Sequence, residues 1–358
     1  MNIPPVIMLP TNRVWRTYPG GKILDSIEGK SKPEDSHFPE DWIASTTPAV
    51  NKGRENLKDE GLSKVTIDYI KLSLKALMEK FPGEILGKKH YKKYGANTQF
   101  LLKFLDSAIR LHIQAHPDIP FAKKYLNSNS GKTEAYVILN IRDEITEPYI
   151  YLGFQKEVSK DKFKNIILEQ NLDEMTSYLN KLFIRPGDVF IIPGGLPHAI
   201  GEGVFMIEIM EPTDFAVRLE FERGGYLLPE EARFMGRDIN FALNMINFSP
   251  ISPGEIKQKY FSNPRLVSET PGAKEFILID KQQTSCFGVN RLILSGNYIK
   301  DSDSFYAGIV IKGTGEISSG SFNRNLKEGN KFLIPFKTKS VEYYTEKGME
   351  IIFTFPPN

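Results

Sequence analysis

Cysteine is almost absent from this chain: Cys286 is the single thiol in 358 residues. It has no partner for an internal disulfide and no second thiolate for a Cys-rich zinc site, so both kinds of scaffold are excluded. Long apolar runs are missing as well. No stretch reaches the roughly 18 uninterrupted apolar residues of a membrane span. The opening MNIPPVIMLPTNRVW lacks a basic n-region and is broken by Pro4, Pro5 and Pro10, unlike a secretory leader. A cytoplasmic protein with no membrane partner is expected. Nor is there an excess of one charge, since 46 Lys+Arg against 44 Asp+Glu leave +2. That balance gives no strong basic field for phosphate backbones, so nucleic acid is not expected as a partner.

Turn formers, by contrast, are plentiful. Gly 28 and Pro 23 punctuate short runs rich in Ile, Val, Phe and Tyr, a pattern that predicts many strands joined by turns. Strands are expected at 100–105, 109–115, 136–141, 149–154, 189–192, 205–210 and 216–221. Helices are expected at 229–246, after Ser159 with a second cap at Asn171 and Glu174, and at 74–81, closed by Pro82 and Gly83. The basic stretch KKHYKKYG at 88–95 reads as a solvated surface.

Residues 187–193 read GDVFIIP and residues 329–335 read GNKFLIP. A glycine turn, a strand and a closing proline recur, as two copies of one β-barrel module would show. The stretch 248–253, with two prolines, offers a boundary between them.

Histidine is scarce, and three of the five fall within or beside the expected strands. In RLHIQAHPD, residues His112, Gln114 and His116 alternate, which places them on one strand face with Leu111, Ile113 and Ala115 on the other. Same-face neighbours lie about 6.6–6.8 Å apart, close enough for Gln114 and His116 to share an ion. Glu134 opens the strand in GKTEAYVIL, and His198 lies in IPGGLPHAIG. Two imidazoles, a carboxylate and an amide oxygen form a set that zinc accepts, with water completing the shell. Mn²⁺, Co²⁺ or Fe²⁺ would also suit these donors.

The strings QAHPD (114–118), GKTEAYVIL (131–139), PGGLPHAIG (193–201) and IEIMEPTDFAVRLE (207–220) resemble those of type I mannose-6-phosphate isomerases, as do PEDWIAST (39–46) and LLKFLDSA (101–108). The resemblance covers the N-terminal two thirds. It implies a mainly β fold of two cupin-type barrels (jelly rolls) with a small helical segment. The expected division is a catalytic cupin at 1–225, a helical connection at 226–252 and a C-terminal cupin-like domain without metal at 253–358. It assigns Gln114, His116, Glu134 and His198 to one Zn²⁺ per chain, and places Lys132, Glu208 and Arg218 in the active-site pocket. His112 stands where the family usually has a small hydroxyl residue.

The implied reaction interconverts mannose 6-phosphate and fructose 6-phosphate by proton transfer through a cis-enediol. Glu208 is expected to move the proton, Lys132 to assist it or neutralise charge, and Arg218 to hold anionic oxygens. No redox cofactor is needed, in keeping with the absence of a GxGxxG nucleotide motif. Two other readings compete: a non-haem metal oxygenase, since two histidines and a carboxylate also form that triad, and a non-catalytic sugar-binding cupin.

Overall fold

The computed structural model describes residues 2–357. Its strands assemble into three large antiparallel sheets of ten, six and five strands and two small ones of two strands each. The chain is therefore mainly β, and its layers follow from which residues alternate. The six-stranded sheet runs in the order Val189–Ile192, Glu134–Ile141, Val204–Met210, Leu101–Asp106, Glu40–Ile43, Arg13–Val14. Val204–Met210 and Leu101–Asp106 are buried at every position, because both faces of this sheet are covered.

One face presents Ala135, Val137, Leu102, Phe104, Ile207 and Ile209 to a core shared with Val289, Ala307, Ile309 and Leu333 of the ten-stranded sheet. The alternate residues Leu105, Tyr136, Ile138 and Met206 join Ile150, Leu152 and Ile200 of the five-stranded sheet. Each fully buried large apolar side chain contributes about 1.5–3 kcal/mol, so both layers are held firmly. The five-stranded sheet has the order Leu179–Phe183, Tyr149–Phe154, His198–Ile200, Gln114–Ala115, Val217–Arg218.

The ten-stranded sheet contains the strands from Arg265–Thr270 to Met349–Phe355, and it also takes in Ile7–Leu9, which pairs with Lys331–Ile334. The strand Ile7–Leu9 thus adds an edge to the sheet built by the last hundred residues. The two repeated heptapeptides form strands at matching positions, Val189–Ile192 and Lys331–Ile334. Each is preceded by a left-handed glycine, Gly187 at φ 95° and Gly329 at φ 82°, a conformation that disfavours any residue with a Cβ.

The expected strands at 100–105, 136–141, 149–154, 189–192 and 205–210 are present within one or two residues. Those at 109–115 and 216–221 contract to Gln114–Ala115 and Val217–Arg218. Here the backbone bonds to side chains and loops instead of a continuous ladder: Ile113 N donates to Glu220 Oε2 at 3.1 Å and Phe221 N to Gln170 Oε1 at 2.7 Å. The helix expected over 229–246 divides into Glu230–Arg233 and Ile239–Met245. Left-handed Met235 and Gly236 interrupt it, and Asp238 starts a new helix by accepting from Phe241 N at 2.8 Å. Pro229 is the cap residue rather than part of the first turn.

Asn171 caps its helix as expected, and the helix that follows Ser159 is capped by Ser159 itself. Pro82 and Gly83, expected to close Leu74–Lys80, open a further turn, Pro82–Ile85, since proline suits a first helical position. The basic helix Lys88–Tyr94 buries no residue. Among the described residues no helix is long and apolar enough to cross a membrane.

Candidate metal centre and the cavity beside it

His116, Glu134 and His198 offer ligand atoms that all lie within 4.8 Å of one another, and all three residues are buried. His116 follows the strand Gln114–Ala115, His198 opens its strand, and Glu134 opens the longest strand of the six-stranded sheet. The cluster therefore bridges the two facing sheets. Gln114 pairs in register with His198 on one side and Arg218 on the other, which puts the fourth expected ligand beside the cluster.

Three loops converge immediately after His116. Gly195 N donates to His116 O at 2.7 Å, and Lys132 N donates to Pro117 O at 2.9 Å. A Cβ on Gly131 would lie 2.6 Å from Pro117 O, and one on Gly194 would lie 2.6 Å from the Asp118 backbone. Only glycine allows these loops to approach so closely. Thr133 N and Gly131 N both donate to the Glu211 carboxylate, at 2.9 and 3.0 Å, which fixes the turn that carries Lys132 and Glu134.

The donor set fits a metal ion. His116 Nε2 is 3.0 Å from Glu134 Oε1, and His198 Nε2 is 3.5 Å from Glu134 Oε2. Two ligands bound tetrahedrally to zinc at 2.0–2.1 Å lie about 3.3 Å apart. His198 Nε2 is buried without a hydrogen-bond partner, an arrangement that a cation would complete. His198 Nδ1 lies 2.9 Å from Leu196 O. A carbonyl only accepts, so Nδ1 carries the proton and Nε2 is free to ligate, the usual support for a metal-bound histidine. Glu134 Oε2 accepts from Tyr136 OH at 2.7 Å.

The electrostatics agree. Burial pushes the His116 imidazole down to about 3 and lowers that of His198, so both rings are neutral. Burial alone would raise the Glu134 carboxyl, but His116 and Lys132 outweigh it and hold it well below the ordinary range. Neutral imidazoles and an ionised carboxylate are the forms that bind metal. Lys132 Nζ, 3.2 Å from Glu134 Oε1 and 3.3 Å from His116 Nε2, is the cation against these donors.

Beside the cluster is a small polar cavity, partly open to solvent. Gln114, Lys132, Glu208 and Arg218 all line it, so the expected pocket residues share one wall-to-wall space. Larger surface cavities elsewhere, such as the one at Lys181, Phe190 and Phe261, contain none of them.

The neighbours of these residues are less expected. Glu208 does not pair with Arg218. It sits opposite Lys103 in the sheet register and forms an ion pair with it. Lys103 also reaches Glu40 Oε1 at 3.3 Å, and Glu40 accepts from Tyr18 OH at 2.5 Å and Trp42 Nε1 at 2.7 Å. Arg16 grips Asp214 through two bonds of 3.0 and 3.1 Å. Burial would raise the Asp214 carboxyl, yet Arg16 holds it below the ordinary range.

Partly buried Arg218 donates to Ala232 O at 3.1 Å. Burial and then the Arg16 charge push its guanidinium down to about 10, so it stays charged at neutral pH. Sequence reasoning missed Arg16, Glu40, Lys103 and Asp214. A lysine at the centre of LLKFL and a glutamate beside the buried tryptophan of PEDWI were the signals, since charge at an inward strand position needs a partner.

A β-rich architecture with a His–Glu–His cluster between two antiparallel sheets sets a candidate metal site beside a charged cavity. No family model matches the chain. Over 325 residues, covering 90% of this chain and 90% of the relative, it is 26% identical to the probable mannose-6-phosphate isomerase GmuF of Bacillus subtilis. Its fold matches the crystal structure of the mannose 6-phosphate isomerase from Bacillus subtilis at a TM-score of 0.76, with 21% identity and 98% and 99% of the two chains covered. A zinc-bound mannose 6-phosphate isomerase structure matches at 0.73, with 16% identity over 99% and 100% of the chains. In sequence and in fold the chain is thus similar to mannose-6-phosphate isomerases, whose motifs it carries.

Proposed function

We propose that this chain is a zinc-dependent aldose-ketose isomerase that interconverts mannose 6-phosphate and fructose 6-phosphate. The observation that carries the reading is the convergence of neutral His116, neutral His198 and ionised Glu134 next to a cavity lined by Gln114, Lys132, Glu208 and Arg218. Gln114, His116, Glu134 and His198 would hold one Zn²⁺ per chain. Bound there, zinc would supply a Lewis acid for sugar oxygens that take on negative charge.

The rest of the reaction falls to the chain's own groups. Glu208 removes the proton from C2 of the open-chain aldose while the aldehyde oxygen gains one, which leaves a cis-enediol. The O2 proton then departs and C1 receives a proton, giving the ketose. Lys132 neutralises negative charge that develops on the enediol oxygens. Arg218 offers its remaining guanidinium N–H groups to anionic oxygens of the substrate.

The charge count around the cavity supports a dianionic substrate. Arg16, Lys103, Lys132 and Arg218 face Glu40, Glu134, Glu208 and Asp214, so the protein groups cancel. A divalent ion leaves an excess of about +2, which a phosphate monoester of about −1.5 to −2 would balance.

In this reading residues 1–225 form the catalytic cupin, 226–252 the helical connection and 253–358 a second cupin without metal. The matching placement of the repeated heptapeptides supports that duplication. The core shared with the six-stranded sheet gives the second module the task of backing the metal-bearing layer. Chelation followed by zinc addition tests the proposal: turnover of mannose 6-phosphate should vanish and return. Undiminished turnover in metal-free protein would refute it.

A further inference from the structure

We propose that His112 contacts the substrate, with its Nε2 accepting a hydrogen bond from one hydroxyl of the sugar chain and thereby determining which hydroxyl pattern is turned over. The inference rests on the isomerase reading above.

His112 Nδ1 lies 3.0 Å from the Glu220 carbonyl oxygen. Because a carbonyl oxygen only accepts, Nδ1 carries the hydrogen, and Nε2 of the neutral ring presents a lone pair. Its anchor is rigid. The fully buried Glu220 carboxylate is forked by Arg110 at 2.7 and 2.8 Å and also accepts from Ile113 N at 3.1 Å. The ring is therefore held by a fixed stretch of backbone.

At the other end, Nε2 is buried and finds no hydrogen-bond partner in the protein, in a residue only 3% exposed. Leaving a buried acceptor unpaired is unfavourable, and such groups concentrate where a ligand completes the bond. The ring lines the same cavity as Gln114, Lys132, Glu208 and Arg218. It is not among the three residues whose donor atoms cluster within 4.8 Å, so a role as an extra metal ligand is disfavoured.

The chemistry of the lone pair selects its partner. An ionised phosphate offers acceptors and would be repelled, whereas a hydroxyl donates. The hydroxyl-bearing carbon chain therefore lies against His112, and the phosphate lies toward the cationic groups. A serine or threonine at 112 would be too short to reach the same point.

The test compares the wild-type protein with His112→Ala and His112→Gln. Zinc content, unfolding temperature and steady-state kinetics are measured with mannose 6-phosphate and its monodeoxy analogues. The expected result is unchanged zinc content and a fall in kcat/KM of about ten- to a hundredfold for His112→Ala. Partial rescue by glutamine is expected, because its amide oxygen can accept near the Nε2 position. One deoxy analogue should be poor with the wild type but lose nothing further with His112→Ala, which identifies the hydroxyl.

Loss of zinc from folded His112→Ala, kcat/KM within twofold of wild type, or an equal added penalty on every deoxy analogue would each overturn the inference. If His112→Ala fails to fold, the same readings on His112→Gln decide the matter, with retained turnover and an altered deoxy profile expected. The wild-type arm judges the isomerase reading separately: absence of mannose 6-phosphate turnover there refutes that reading.

Discussion

Replacing Lys103 by methionine should move the acidic limb of the pH profile. The side chain is 4% exposed and pairs with Glu208 and Glu40. Glu40 retains Arg16 at 3.5 Å and its bonds from Tyr18 and Trp42, but Glu208 loses the one cation that forms an ion pair with it among the described residues. A carboxylate deprived of an opposite charge within about 4–6 Å becomes easier to protonate by about 1–3 pH units.

If ionised Glu208 is the base, the low-pH fall in kcat/KM for mannose 6-phosphate should shift upward by that amount. The plateau at higher pH should fall less. Breaking a buried pair also costs about 3–5 kcal/mol of stability when the remaining charge is uncompensated, so unfolding is measured in parallel. Lys103→Arg, which keeps the charge, should restore the position of the limb. The assay follows fructose 6-phosphate formation from pH 5 to 9 in zinc-saturated protein. A folded, zinc-loaded Lys103→Met protein with an unmoved limb would remove Glu208 from proton transfer.

Arg218→Ala should lower kcat/KM for mannose 6-phosphate by about ten- to a hundredfold, as expected for one lost charge-assisted contact of about 1.5–3 kcal/mol. An equal loss on free mannose would show that Arg218 serves the enediol or the fold rather than the phosphate. His198→Ala should abolish tight zinc binding, and unchanged stoichiometry by metal analysis would sink the ligand assignment. Metal-free protein should lose stability as pH falls below about 6.5. Burial pushes His112 and His116 down to about 3 in the folded state, so below 6.5 the unfolded chain binds protons that the folded chain refuses. Each group then contributes a loss of about 1.4 kcal/mol per pH unit down to its folded value, and denaturant melts at pH 7 and 5.5 measure the slope. A metal-free protein equally stable at both would contradict the burial of neutral rings.

Alternation made much of the architecture legible. The strands at 136–141, 149–154, 189–192 and 205–210 appear at nearly their expected places, because period-two apolar patterning reflects burial directly. His112, Gln114 and His116 lie toward the cavity or metal cluster while Ile113 and Ala115 join a hydrophobic core, but Leu111, expected on the apolar face, also lines the cavity, and the ladder there is only two residues long. Side chains replaced ladder bonds at that point, and no local pattern announces a glutamate 107 residues away accepting from Ile113 N.

The helix at 229–246 failed for a different reason. Its apolar spacing continues through Gly236, but the backbone there is left-handed, and Asp238 favours a fresh start. The partners of the catalytic candidates were hidden because cross-strand register decides them. Glu208 meets Lys103 rather than Arg218 since the strands Val204–Met210 and Leu101–Asp106 are neighbours in one sheet, while Val217–Arg218 belongs to the sheet facing it.

The most direct test is to incubate zinc-loaded protein with fructose 6-phosphate and identify the product by NMR. The account predicts mannose 6-phosphate, formed at a rate proportional to protein and abolished when Glu134→Gln removes the carboxylate at the centre of the metal cluster. No aldose phosphate from fully zinc-loaded protein, or the same rate from Glu134→Gln, would contradict it.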